Sequence, residues 1–160
     1  MSRAFVKEDD GDRPEALPEL PVSAAPNLVT ERGLRGIEAK VAGIEAALAA
    51  GPDETHQARL RRDLRYWALR RATARPTAPD PADPAAQFGS VVTYLDPEGE
   101  RRTVTIVGED EADPSAGTIA YVAPVARALT GARPGDVVTV TLRGRPADLE
   151  VLAVENAPPD

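Results

Sequence analysis

Apolar side chains recur as Leu34, Ile37, Val41, Ile44 and Leu48, at spacings of three, four, three and four. That is the a/d seam of two heptads, and it predicts a helix that meets one partner along a narrow stripe. Thr30 stands where an N-cap oxygen would serve the free amides of the first turn. Gly51-Pro52 predicts the end of that helix. Asp53 can cap a second helix, running to about Arg75 and stopped by Pro76, with a seam of Leu60, Leu64 and Trp67. A link this short forces the two helices to pack antiparallel. Each arm is about 20 residues, or ~30 Å at ~1.5 Å per residue.

Beyond residue 87 the period changes to alternation. Phe88–Leu95 reads as a strand, Asp96-Pro97-Glu98-Gly99 as a turn, and Arg102–Val107 as the returning strand. Gly117–Val122 predicts a third strand, Pro124–Leu129 one or two helical turns closed by Gly131, Val137–Leu142 a fourth strand and Leu149–Val154 a fifth. The expected architecture is α+β, a helical hairpin followed by an antiparallel sheet with one short helix.

Composition places the boundaries. Of the 16 prolines, Pro14, Pro18, Pro21 and Pro26 fall in residues 1–27, which are acid-rich and lack an apolar period, so a disordered or extended arm is expected there. Residues 76–87 carry Pro76, Pro79, Pro81 and Pro84 and read as a semi-stiff linker. The hairpin then occupies 28–75, the β module 88–155, and a tail 156–160.

Charge sharpens this picture. The net charge is −7, yet residues 28–75 hold ten basic and six acidic residues while 88–160 hold six basic and twelve acidic. Arg59, Arg61, Arg62, Arg65, Arg70, Arg71 and Arg75 form a broad cationic face on the second helix, either solvated or aimed at phosphate or an acidic protein surface. No aromatic residues interleave with them for base stacking. Glu109, Asp110, Glu111 and Asp113 form a dense acidic loop, read as a solvated turn or as a contact for a basic surface.

Several chemistries fall away. There is no cysteine, which removes disulfides, thiol catalysis and zinc ribbons, and a single histidine, His56, which has no visible partner. Aromatics are only 4%. No apolar run is long enough to span a bilayer, and the start turns acidic where a signal peptide needs its apolar stretch, so a cytoplasmic location is expected. No metal or cofactor site of its own is expected.

Three runs carry a family resemblance. Ile106–Asp113, Pro124–Gly131 and Gly135-Asp136-Val137-Val138 resemble, in order and spacing, the C-terminal domain of the GreA/GreB transcript-cleavage factors across residues 88–155. Asn27–Leu34 looks like the start of the Gre coiled coil. The resemblance implies an FK506-binding-protein-like C-terminal domain that docks at the secondary channel of bacterial RNA polymerase. It also implies a coiled coil entering that channel, whose tip acids help hold a magnesium ion belonging to the polymerase active site. Polymerase-docking residues carried over by the match are Tyr121, Val122, Ala123, Pro124 and Arg127, although Val122-Ala123 replace the family's polar residue and Ser before the proline.

The tip departs from the family. It reads Gly51-Pro52-Asp53-Glu54-Thr55-His56, with adjacent acids and no Asn, on a hairpin several turns shorter than in the cleavage factors. Asp53 and Glu54 are expected to act as capping and first-turn acids. The expectation is therefore a monomeric, non-enzymatic regulator of RNA polymerase, in which the basic helix meets nascent RNA or an acidic polymerase surface. The alternatives are a cleavage stimulator using Asp53 and Glu54, or a regulator similar to the nucleoside-diphosphate-kinase regulators (Rnk). Prolyl isomerisation rests on fold analogy alone, and the scarcity of aromatics opposes it.

Overall fold

Two capped helices open the described chain. A computed structural model describes residues 16–157. Helix α1 spans Glu31–Ala49, and its N-cap Thr30 Oγ1 accepts from the Gly33 amide at 2.9 Å. Gly51 takes a left-handed φ of 72°, which turns the chain out of α1 and which a side chain would resist. Helix α2 spans Glu54–Thr73, with Asp53 Oδ1 accepting from the His56 amide at 2.9 Å. The seam is dry only toward the base, where Ile37 and Val41 are 2% and 1% exposed. Leu34, Ile44, Leu48, Leu60, Leu64 and Trp67 are half-buried, because two helices alone cannot enclose a stripe on all sides.

α2 stops two residues before the expected Arg75. From there the chain is extended, and a short strand β2 (Arg75–Pro76) runs parallel to β1 (Leu28–Val29). The Arg75 amide donates to Asn27 O and the Thr77 amide to Val29 O, each at 2.8 Å. The strands entering and leaving the hairpin are thus stitched together at its base.

Residues 76–87, expected to be a linker, are extended but tied down along much of their length. Pro79 is buried against Gly89, where an added Cβ would come within 2.7 Å of the proline ring. Asn156 Nδ2 donates to Asp83 O and Ala85 O at 2.6 and 2.9 Å. Ala86 is fully buried and exchanges backbone bonds with Gly131 and Ala132. Proline removes amide donors but not carbonyl acceptors, so such a segment can still be anchored from outside.

The second half is one five-stranded sheet, ordered β5-β4-β3-β7-β6, with β3 at Val91–Leu95, β4 at Arg101–Val107, β5 at Thr118–Ala120, β6 at Val137–Leu142 and β7 at Arg145–Glu155. Three of its pairings are antiparallel as expected, but β4 and β5 run parallel, so the sheet is mixed. Residues 108–117, with a single 3-10 turn at Pro114–Ala116, give the chain length to cross back before β5 starts. β7 begins earlier than its expected start at Leu149. Arg143 and Gly144 both have positive φ, 50° and 76°, and so form the two-residue turn whose twist matches a hairpin. Helix α3 (Pro124–Leu129) lays Ala126 and Leu129 on the sheet, over Val92, Ile106, Val140, Leu149 and Val151.

Candidate docking surface and hairpin tip

The expected docking residues sit on the corner between β5 and α3. The Tyr121 amide donates to Val107 O and the Ala123 amide to Ala120 O, both at 2.9 Å, which turns the chain sharply into the proline that starts α3. Pro124 fits the first helical position because its missing N–H would have no partner there. Pro124 and Arg127 are exposed and adjacent on this corner.

Tyr121, Val122 and Ala123 are half-buried. The Tyr121 hydroxyl donates to Pro26 O at 2.5 Å, and its ring meets Phe88 edge-on with centroids 5.6 Å apart. Burial, then the nearby Glu109 carboxylate, pushes its phenol up from the ordinary value. Tyr121 therefore joins the β domain to the segment entering the hairpin, and the solvent-facing part of the corner is Pro124 and Arg127.

The acidic loop turns inward rather than toward solvent. Arg70 on α2 has a side chain only 3% exposed, and its Nε donates to Asp110 Oδ2 at 2.5 Å, with Glu109 Oε2 3.9 Å from Nη2. The Tyr66 hydroxyl donates to the other Asp110 oxygen at 2.6 Å, and Thr30 Oγ1 donates to Glu111 Oε2 at 2.6 Å. Burial and then the Asp110 bond push the Tyr66 phenol up to about 12. Asn27, itself buried, donates from Nδ2 to Arg70 O at 2.8 Å and to Thr73 Oγ1 at 3.2 Å. Gly108 leaves no room for a side chain, since a Cβ there would strike the Leu28 carbonyl oxygen. This network sets the hairpin at one angle to the β domain.

The sequence alone assigned Glu109, Asp110 and Glu111 either to solvent or to a partner, set Arg70 on the cationic face and Asn27 at the start of the coiled coil, and gave Tyr66 no role; Arg70 is instead buried against Asp110. One signal was available. Arg70 follows Trp67 by three, on the border of the seam, and the acid run lies in a connection that must pass the hairpin base.

The basic face is partly spoken for. Arg59 and Arg61 are exposed, whereas Arg62 is half-buried and pairs with its neighbour Asp63 at 2.8 Å. Arg65 grips Glu19 through Nε and Nη2, the latter at 2.6 Å, which holds the carboxyl below its usual range. Glu19 belongs to the arm expected to be disordered or extended. Between Glu19 and the buried Asn27 that arm is tied to α2, at Arg65 and again at Arg70 and Thr73; residues 1–15 lie outside the described residues.

At the tip, Asp53, Glu54 and His56 are all exposed. One Asp53 oxygen is occupied by the His56 amide, so the aspartate works as a helix cap, as its position before α2 suggested. Lys40 lies 5.9 Å from the Trp67 ring centroid, covering that aromatic on the side of the hairpin. No described helix is long and apolar enough to cross a membrane.

A curled mixed sheet with one short helix, carrying an antiparallel helical hairpin ahead of it, defines the class of protein. Residues 81–156 match the family described as "Transcription elongation factor, GreA/GreB, C-term". The transcription elongation factor GreA of Thioalkalivibrio sulfidiphilus is 48% identical over 69 residues, which are 42% of this chain and 44% of that protein. GreA of Alkalilimnicola ehrlichii is 42% identical over 80 residues, 47% of this chain and 51% of its own length. The match thus covers about half or less of these relatives. Among solved structures, GreA factor homolog 1 (Gfh1) of Thermus thermophilus is similar at 19% identity and a TM-score of 0.40, over 82% of this chain and 99% of that one.

Proposed function

We propose that this protein is a non-enzymatic transcription regulator that binds bacterial RNA polymerase through its GreA/GreB-type C-terminal domain, at the secondary channel. The observation that carries the reading is the match of residues 81–156 to that domain, the part of the Gre factors expected to do the docking. Its exposed corner at Pro124 and Arg127 supplies a rigid proline step and a guanidinium for an acidic or carbonyl-rich partner surface.

The tip supports regulation rather than stimulated cleavage. Holding a hard divalent cation takes free carboxylate oxygens, and Asp53 commits one of its two to the α2 cap. Each helix is about 30 Å long at ~1.5 Å per residue, short for an arm that must deliver acids deep into a channel. A protein of this shape would occupy the channel entrance, act on initiation or pausing, and exclude cleavage factors. It works as a cytoplasmic monomer with no metal of its own.

Equilibrium binding of labelled protein to bacterial core polymerase, with unlabelled GreA as competitor, tests the reading. Displacement by GreA is expected, as is loss of binding on Arg127→Glu. Backtracked complexes mixed with the protein should release no cleaved RNA. Failure to bind at micromolar polymerase would overturn the polymerase role. Cleavage that vanishes in Asp53→Asn, which keeps the cap oxygen but not the charge, would convert the reading to a stimulator.

A further inference from the structure

The last strand of the sheet leaves one side of its backbone unpaired. β6 stands at the margin, beyond β7, and its register runs from Val137 opposite Glu150 to Leu142 opposite Arg145. Just before the strand, the Val151 amide donates to Asp136 O at 2.8 Å. Antiparallel pairs alternate between bonded and non-bonded, so Val138, Val140 and Leu142 bond β7 while Val137, Thr139 and Thr141 turn their amides and carbonyls outward. Pro146 agrees with that phase, since it has no amide to give and faces Thr141 in a non-bonded pair. Among the described residues no other backbone group bonds these outward atoms.

Edge strands are ordinarily blunted by lysine, proline or a bulge. Val137–Leu142 reads Val-Val-Thr-Val-Thr-Leu, with no charge, no proline and an unbroken register. Val137 and Leu142, at its two ends, are 61% and 38% exposed. The solvent face beside the Val137 end is acidic. Glu150 stands next to Val137 and Asp148 next to Thr139, whose hydroxyl donates to Asp148 Oδ1 at 2.7 Å. Neither carboxylate has an ion-pair partner among the described residues. With Leu95, Pro97, Val137 and Pro146 they line a shallow groove of about 480 Å³, where Asp96 is already held by Arg102.

We propose that β6 takes an extended segment of a partner protein as an added strand, and that this segment carries lysine or arginine at alternate positions. Backbone bonds to Val137, Thr139 and Thr141 supply the affinity, and side chains set the identity. Alternate residues of the added strand fall on the face of Glu150 and Asp148, two strand spacings or about 9.6 Å from β7. A long cationic side chain spans that gap toward a carboxylate, and an acidic one is repelled. The residues between point to the side of Val138 and Leu142, which suits apolar groups. A second copy of this chain fits less well, because its β6 would bring only valine and threonine to the acids. The edge is apart from the corner at Pro124 and Arg127, since β5, which leads into that corner, lies at the opposite margin of the sheet. Strand addition needs no polymerase, so its test stands apart from the one above.

The probe is a fluorescent peptide, Thr-Lys-Val-Arg-Val-Lys-Thr, titrated into the full-length protein. Binding is expected, with the amide NMR signals of Val137, Thr139 and Thr141 shifting most and their hydrogen exchange slowing. Asp148→Asn combined with Glu150→Gln should weaken binding at least about threefold, as should a peptide with glutamate in place of its cations. The same peptide N-methylated at its Lys and Arg amides keeps every charge but cannot donate to β6, and its binding should be lost. Equal binding of the N-methylated peptide would reduce the contact to charge alone and overturn strand addition. Shifts that leave β6 unmoved at millimolar peptide would do the same. So would β6 signals that broaden with protein concentration in the absence of peptide, which would give the edge to a second copy.

Discussion

Replacing Asp110 with alanine removes the carboxylate that holds both Arg70 and Tyr66. The Arg70 side chain is 3% exposed and that of Asp110 10%, so the guanidinium would be left in a site that water barely reaches. Breaking a buried ion pair from one side costs about 3–5 kcal/mol. Glu109, 3.9 Å from Arg70, stays behind as partial compensation, which favours the lower end of that range. With a urea slope of roughly 1.5 kcal/mol per M, a loss of about 3 kcal/mol lowers the unfolding midpoint by about 2 M. The only tryptophan, Trp67, lies beside Tyr66 with ring centroids 5.0 Å apart, so its fluorescence reports on the hairpin next to this junction. A cycle with Arg70→Met separates the pair from its surroundings. The double variant should be more stable than the sum of the single losses implies, with a coupling of roughly 1.5–3 kcal/mol. A loss under about 0.5 kcal/mol for Asp110→Ala, the level of an ordinary surface change, would refute the reasoning. So would strict additivity with Arg70→Met.

Other expectations follow from single contacts. Gly108→Ala should destabilise by more than about 2 kcal/mol in a thermal melt, because its Cβ meets backbone at Leu28 that cannot swing aside. Gly43→Ala, with open space around it in α1, should instead stabilise by about 0.5–1 kcal/mol. Asp53→Ala should cost about 1 kcal/mol through the lost cap, and Asp53→Asn much less, as read from melting temperatures. Tyr66 keeps its proton to about pH 12 when folded, against about 10 for a free phenol. The folded state therefore binds that proton more tightly, so its contribution to stability is complete below pH 10 and is lost as pH rises toward 12. Urea midpoints measured at pH 9 and 11 should fall for the wild type and fall less for Tyr66→Phe.

How much was legible differs by element. Local chemistry wrote the helices: the heptad seam, the Thr30 and Asp53 caps and the Gly51 stop need only neighbours within one or two turns, so their bounds lie within two residues of expectation. The strands were equally visible as alternation, and the runs at Ile106–Asp113 and Pro124–Gly131 carried a resemblance that falls within the residues matched by the GreA/GreB C-terminal family. The parallel seating of β5 was not visible, because alternation is the same in either direction and only the crossover length distinguishes them. The β6–β7 turn escaped because Arg143 adopts a positive φ that its residue type does not advertise.

Tertiary structure alone decided what the charges do. An arginine on a helix reads the same whether it faces water or a carboxylate 40 residues away, so Arg59 and Arg70 are indistinguishable as letters. Folding buried Arg70 under Asp110 and left Arg59 exposed. The same holds for Glu109, Asp110 and Glu111, an apparent surface patch that is the clasp between hairpin and sheet. Periodicity records which side chains must leave water, but the partner of a buried charge is set by distances between segments far apart in the chain, and those exist only once the chain has folded.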